Sequence, residues 1–338
     1  DADELTEYMD FIGRDLFTAP LQTTLRQFEE ADNFGSLIRP AVTDIEGMLR
    51  ILESKNVSGH LFLSQTHQKV LQALQQADYL SQRYHVVIAN PPYMGAKGMN
   101  PQLDGFMKKE YSDFKSDIFS GFVIRCSSLS MNDGFVGIMC PNVWMYISSY
   151  EKLRESILDK FHMQNLVELP LTGFKGATVQ ICAYNFATSR SAGSVSQFIK
   201  LTSFKGGDDE MAGYAREAAK NKRCTWLYET DPSAFKRIPG SPIAYWIPKE
   251  AFDVLDKSDP LATISDPRKG MCTRDNDYFV RAWHEPSFNK IGIGYGSREE
   301  AKRSKKKWFP YQKGGDFRKW YGSHSNVVDW EDDGYKLL

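Results

Sequence analysis

Hydrophobic spacing divides the chain into stretches of different texture. Leu21 to Ala31 and Asp44 to Glu53 repeat apolar residues at helical intervals, with Arg39-Pro40 between them. Phe62 to Tyr84 is a longer helical stretch, and Leu61, Leu63, Val70, Leu71, Leu74 and Leu80 form its apolar stripe. Residues 1–83 therefore read as a helical segment. At residue 84 the pattern changes. Val86-Val87-Ile88-Ala89 is a short, wholly apolar, β-branched run halted by Asn90-Pro91-Pro92, which predicts a central parallel strand buried on both faces. Phe114 to Met131 has helical spacing, Asn132-Asp133-Gly134 is a turn signal, and Phe135 to Met139 is a second buried strand. A helix over Tyr150 to Phe161 and strands over Asn165 to Leu169 and Thr178 to Phe186 come next. Strands alternating with helices predict an open α/β sheet over residues 84–204. In such sheets ligands sit beyond the carboxyl ends of the strands, and Asn90 to Tyr93 lies at such an end.

From Lys205 to Arg223 the chain turns polar, so residues 205–239 read as a connector. Residues 240–338 form a different module, rich in aromatics, Gly and Lys. Its densest stretch holds Lys302, Arg303, Lys305, Lys306, Lys307, Lys313, Arg318 and Lys319, interleaved with Trp308, Phe309, Tyr311, Phe317, Trp320 and Tyr321. Cations of this kind position a nucleic-acid backbone without reading its sequence. A solvated charge run is the plainer alternative. Large aromatics are costly to expose, so Trp320 is expected to pack inward while the lysines face outward.

Composition narrows the classes. Hydrophobic residues are 41% and charged residues 25% of the 338, a globular balance that can fill a core for about two domains. The formal net charge of −1 means that any nucleic-acid contact must come from a local basic patch. No apolar run approaches the ~20 residues of a membrane span. Cys126, Cys140, Cys182, Cys224 and Cys272 form no Cys-x-x-Cys pair, and the histidines show no ligand spacing. That argues against a metal site or disulfide framework and for a reducing, cytoplasmic setting. The opening Asp1-Ala2-Asp3-Glu4-Leu5 lacks an initiator Met and a signal pattern, and reads as the continuation of a longer polypeptide.

The chemistry centres on Asn90-Pro91-Pro92-Tyr93. The exocyclic amine of adenine is a poor nucleophile, because its lone pair is delocalised into the ring. Two acceptors, one for each N–H, can hold that nitrogen toward an electrophilic methyl group without a metal. The Asn90 side-chain oxygen is one and the Pro91 carbonyl the other, with Pro91 and Pro92 fixing the backbone. Tyr93 offers a flat face on which the base stacks. The target nitrogen is inaccessible inside a duplex, so the base must be flipped out. Phe174, in the loop Gly173 to Val179, is the candidate for the opposite face. The bland alternatives are a tight Pro-Pro turn and a loop aromatic capping the core.

Residues 84–186 resemble the gamma class of adenine-N6 DNA methyltransferases. Besides Asn90 to Tyr93, the resemblance rests on Ser116-Asp117-Ile118-Phe119-Ser120-Gly121-Phe122, Gly134 to Trp144, Leu153 to Leu158 with Asn165 to Leu169, and Gly173 to Phe186. More narrowly, Tyr84 to Gly95 and Lys307 to Gly315 with Arg318 to Gly322 resemble the methyltransferases of BREX phage-defence systems, which share features with single-chain restriction–modification enzymes. His85 stands where the wider family usually has an acidic residue, outside the acceptor motif.

The resemblance implies a Rossmann-like methyltransferase sheet, S-adenosyl-L-methionine as cofactor, and Phe174 stacking on a flipped adenine in double-stranded DNA. It implies that residues 240–338 open an α+β target-recognition domain whose Lys305, Lys306, Lys307, Lys313, Arg318 and Lys319 contact DNA, and that other phage-defence proteins are partners. The family's Gly-rich cofactor loop and its acidic partner are missing here and are expected upstream, leaving half of a cofactor site. Asp78 is the one candidate cofactor contact within the chain, against the simpler reading of a solvated helix-face Asp. Asn-Pro-Pro-Tyr also serves enzymes that methylate a glutamine amide or RNA guanine, and a non-catalytic DNA-recognition fragment is a third reading.

Overall fold

The structure, a computed structural model, describes all residues except 1, 14–17, 43, 56, 58–60, 172–178, 190–193, 267–269, 318, 323 and 338. The chain forms two units, Asp1–Ser258 and Asp259–Leu338.

The first unit opens with the helices α1 (Ala2–Ile12), α2 (Thr18–Gln27), α3 (Ala31–Phe34), α4 (Ile45–Glu53) and α5 (Leu61–Ser81). Asp44 stops the chain before α4 and caps it by accepting the Gly47 amide at 2.9 Å. The apolar stripes meet in a core of their own, with Tyr8, Leu21, Leu25, Ile45, Met48, Leu52, Val70 and Leu74 buried. Arg125 ties this helical segment to the rest of the unit: its guanidinium donates to the carbonyls of Ser36 (2.9 Å) and Leu80 (2.6 Å).

Beyond it lie β1 (Tyr84–Ala89), α6 (Pro101–Glu110), α7 (Ile118–Leu129), β2 (Ser130–Pro141), α8 (Glu151–Lys160), β3 (His162–Glu168), β4 (Ile181–Ala187), β5 (Ser196–Lys200), α9 (Asp208–Lys220), β6 (Leu227–Thr230) and α10 (Lys249–Lys257). The strands form one sheet in the order β1-β2-β4-β3-β5-β6. β1, β2, β3 and β5 run in the same direction, while β4 and β6 run against their neighbours, so the α/β sheet is mixed rather than wholly parallel. Alternation along the strands sends Val87, Ala89, Val136 and Ile138 to the face covered by α7, where they pack with Phe119, Val123 and Cys126.

Several sequence expectations change. Among the described residues β1 has a strand on the β2 side only, and Val86 and Ile88 are exposed, Ile88 at 81%. The β-branched run that reads as doubly buried is covered on one face alone. The Asn132-Asp133-Gly134 signal is not a turn ahead of the strand; it lies inside β2, where the register with β1 slips between Tyr84 and Val86. Gly134 is needed there, because a Cβ would come within 2.8 Å of the His85 carbonyl oxygen. Residues 205–239 are no connector. They form α9, which buries Met211 and Ala218, and β6, which completes the sheet. Nor does the first unit end at residue 239. Ile243, Tyr245 and Phe252 sit in its main core, and Arg154 in α8 donates twice to the Gly240 carbonyl (2.9 and 2.7 Å).

The second unit holds α11 (Asn276–Phe279), β7 (Val280–Ala282), α12 (Arg298–Arg303), β8 (Trp308–Tyr311) and β9 (Asn326–Asp329). β9 is the middle strand of an antiparallel three-stranded sheet, and Val280, Ile291, Val327 and Val328 are the unit's buried apolar residues among those described.

Candidate active site

Asn90-Pro91-Pro92-Tyr93 leaves the carboxyl end of β1. Pro91 is buried and anchors the turn, while Asn90 and Tyr93 are exposed. The Tyr93 hydroxyl donates to the Asn90 side-chain oxygen at 2.6 Å, with the Met139 carbonyl of β2 as a weaker neighbour at 3.3 Å. This contact holds the Asn90 side-chain oxygen toward the Tyr93 hydroxyl. An amide oxygen has two lone pairs, so one remains for a ligand N–H. Among the described residues, no donor reaches the Pro91 carbonyl. Two acceptors on adjacent residues are thus available, one of them oriented by its neighbour. Burial, then the Cys140 and Cys182 thiols, push the Tyr93 hydroxyl above its ordinary range, so at neutral pH it is a donor.

The loop after the motif is held by Asp117, which in the sequence is merely part of a helix-opening segment. Asp117 caps α7 by accepting the Phe119 amide (3.2 Å), and it also accepts the Met94 amide (3.0 Å). Backbone bonds from Ile118 to Met94 (3.1 Å) and from Ala96 to Ser116 (3.2 Å) complete the attachment. The segment directly after Tyr93 is therefore stitched to the amino end of the helix that packs under β1 and β2. Burial raises the Asp117 carboxyl above its usual range, and the Phe119, Met94 and Ile118 amides oppose that rise.

The neighbouring strand ends carry a polar row: Asn142 after β2, Glu168 closing β3 and Lys200 closing β5. Glu168 is buried and accepts from Asn142 Nδ2 (2.8 Å), the Tyr245 hydroxyl (2.6 Å) and, more weakly, the Tyr146 hydroxyl (3.4 Å). Lys200 Nζ lies 4.3 Å from the centre of the Trp246 ring. Glu168 is a site-building residue that sequence reasoning misses. Its only signal there is a lone acid closing an apolar strand.

The other candidates divide. Phe174 and Arg318 lie outside the described residues. Asp78 is not brought to Asn90. It sits near the end of α5, which leads into the amino end of β1, about 20 Å of strand away from the motif, and it accepts from Gln82 at 2.8 Å. In the second unit, Lys305 and Lys319 are exposed, Lys313 is half-buried, and Lys306 Nζ donates to the Asn289 carbonyl. Lys307 is half-buried between Asp329 (3.2 Å) and Glu331 (3.3 Å), so its charge is neutralised within the unit. Trp320 does not pack inward; it is 88% exposed.

Comparison with known proteins gives the following similarities. Residues 23–174 match the family described as Eco57I restriction-modification methylase. The adenine-specific methyltransferase BrxX of Escherichia coli O9:H4 (strain HS) is 35% identical over 325 residues, covering 94% of this chain and 26% of BrxX. The adenine-specific methyltransferase PglX of Lacticaseibacillus casei (strain Zhang) is 31% identical over 333 residues, covering 95% of this chain and 27% of PglX. The chain thus spans about a quarter of the length of these relatives. Among solved structures, a type I restriction-modification methyltransferase subunit from Streptococcus thermophilus aligns with 48% of this chain and 38% of its own, at 16% identity and a TM-score of 0.38.

Proposed function

We propose, from the match of residues 23–174 to the Eco57I restriction-modification methylase family, that this chain carries the target-base side of a site-specific DNA adenine-N6 methyltransferase that serves in phage defence or restriction–modification. The observation that carries the reading is the pairing of the Pro91 carbonyl, which no donor reaches among the described residues, with an Asn90 oxygen held by Tyr93. A flipped adenine places one N–H on each acceptor and its ring against Tyr93. The two acceptors draw density toward the amine nitrogen, and the rigid Pro91-Pro92 backbone means that little reorganises during reaction. Most of the acceleration then comes from holding two reactants in line.

S-adenosyl-L-methionine supplies the electrophilic methyl group in this proposal. The described residues do not offer a full site for it. Asp78 is at the wrong end of β1, and Asp117 is committed to the Met94 and Phe119 amides. The partner is double-stranded DNA, with Lys305, Lys313 and Lys319 as phosphate contacts. Lys306 and Lys307 take a lesser part because of their contacts within the unit.

The test is Asn90→Ala in a polypeptide that contains this chain and methylates DNA, read as N6-methyladenine by mass spectrometry of digested DNA. Methylation should fall by on the order of a hundredfold or more, as for loss of one preorganised partner at a reacting centre, with an unchanged circular-dichroism spectrum. Near-normal methylation would remove the assignment.

A further inference from the structure

The loop between β8 and β9 carries three large aromatics in solvent. Phe317 is 91%, Trp320 88% and Tyr321 77% exposed. The buried apolar residues of the second unit, Val280, Ile291, Val327 and Val328, are assembled without them. Each such ring presents a large apolar surface, and three within five residues make a patch with no use to the unit's own stability. The described charges beside the rings are Lys313, Asp316 and Lys319. Lys319 is exposed and Lys313 partly so, and Lys319 Nζ lies 5.5 Å from the centre of the Trp320 ring, leaving a cation at the rim of an aromatic face. Tyr321 is itself backed by His324, with ring centres 4.6 Å apart.

Flat rings edged by cations suit a partner with flat apolar faces and an anionic rim, which is the composition of a base step flanked by phosphates. A purely apolar partner would account for the rings but not for Lys319 set against Trp320. We propose that the exposed rings Phe317, Trp320 and Tyr321 form a wedge that stacks on unstacked bases of duplex DNA, with Trp320 as its principal ring. Lone cations contribute affinity that falls steeply with salt, whereas a stacked ring contributes affinity that salt leaves almost untouched and prefers steps that open easily. The proposal rests on the reading of the chain as a DNA methyltransferase, and adds a contact made through the base stack rather than the backbone.

The experiment is a fluorescence-anisotropy titration of the full 338-residue chain with a labelled duplex, fully paired or carrying one central mismatch, at several salt concentrations. Wild type should bind the mismatched duplex more tightly. Trp320→Ala should lower affinity roughly five- to a hundredfold, leave the salt slope unchanged and abolish the mismatch preference. Trp320→Phe should restore most of the affinity. Because all three rings are exposed, melting temperatures should not move. Unchanged affinity and mismatch preference in Trp320→Ala would overturn the wedge, as would absence of DNA binding by the wild-type chain. So would a wild-type dimer that Trp320→Ala converts to monomer with DNA affinity intact, which would give the rings to a second copy. None of these outcomes bears on the Asn90→Ala methylation test, so the wedge and the methyltransferase reading fail separately.

Discussion

Tyr93→Phe separates two roles that Tyr93 combines. In the proposed function the ring is a stacking face, and the hydroxyl, 2.6 Å from the Asn90 oxygen, sets the amide that would receive the target amine. Removing only the hydroxyl deletes one hydrogen bond in a partly exposed site, worth about 0.5–1.5 kcal/mol net. The turn of the Asn90 amide is then no longer imposed. Activity should fall roughly two- to tenfold, chiefly in the methyl-transfer step. Tyr93→Ala also removes the stacking face, worth about 1–3 kcal/mol, so the combined loss should be roughly ten- to a thousandfold. The assay is single-turnover methylation by a polypeptide containing this chain, with DNA affinity measured in parallel. Since the hydroxyl titrates above its ordinary range, it stays protonated at neutral pH, and the ratio of Tyr93→Phe to wild type should not vary there. A Tyr93→Phe variant indistinguishable from wild type would show that Asn90 needs no orienting partner. One as impaired as Tyr93→Ala would show that stacking is not what the ring contributes.

Asp117→Ala should destabilise the chain by about 0.5–2 kcal/mol through removal of the helix cap, and by more where the Met94 amide is left unpaired; Asp117→Asn, which keeps an acceptor oxygen, should lose less. Burial raises the Asp117 carboxyl above 3.8, so the folded state holds a proton that the unfolded state has released, and stability falls as pH rises through that window. Urea melts across the acid range should show that slope reduced in Asp117→Asn; an identical slope would remove Asp117 as its source. Lys307→Ala should lower the melting temperature with little change in DNA affinity, because its charge is spent on Asp329 and Glu331. Replacing Lys305, Lys313 and Lys319 should reduce the log–log salt slope of DNA binding by roughly one for each phosphate partner removed; an unchanged slope would send DNA to another face.

Local chemistry is legible where it depends on neighbours in sequence. The Asn90 to Tyr93 motif, the strand ahead of it and the Asp44 start of α4 come from runs of a few residues. The features that escape the sequence depend on partners distant along the chain. Val86-Val87-Ile88-Ala89 carries the composition of a doubly covered strand, yet composition does not say whether a neighbour is present. Asp117 looks like an ordinary cap until Met94 is seen to share it, 23 residues earlier. Lys307 reads as one of three like lysines; only the register of β8 against β9, which pairs Trp308 with Asp329, brings Asp329 to Lys307. The segment 205–239 looks like a linker because charged residues dominate it, but α9 needs only Met211 and Ala218 on its inner face to dock.

Among the described residues β1 pairs on the β2 side only, which bears on how this polypeptide behaves in a test tube. Tyr84-His85-Val86-Val87-Ile88-Ala89 contains no acid, Lys, Arg, Pro or Gly. Alternate residues of a parallel edge strand turn their amide and carbonyl groups away from the neighbour they already have. Natural sheets protect such an edge with charge, proline or a covering element, and this stretch carries neither of the first two. Left uncovered, it is a template for the same stretch of another molecule, with the alternation and β-branching that favour stacked intermolecular sheets. Soluble yield should therefore fall with concentration unless something pairs with β1. Whatever completes the sheet also keeps the molecules apart, and a single Lys at Ile88, the most exposed hydrophobic position of the strand, would be the first substitution to try when preparing the chain alone.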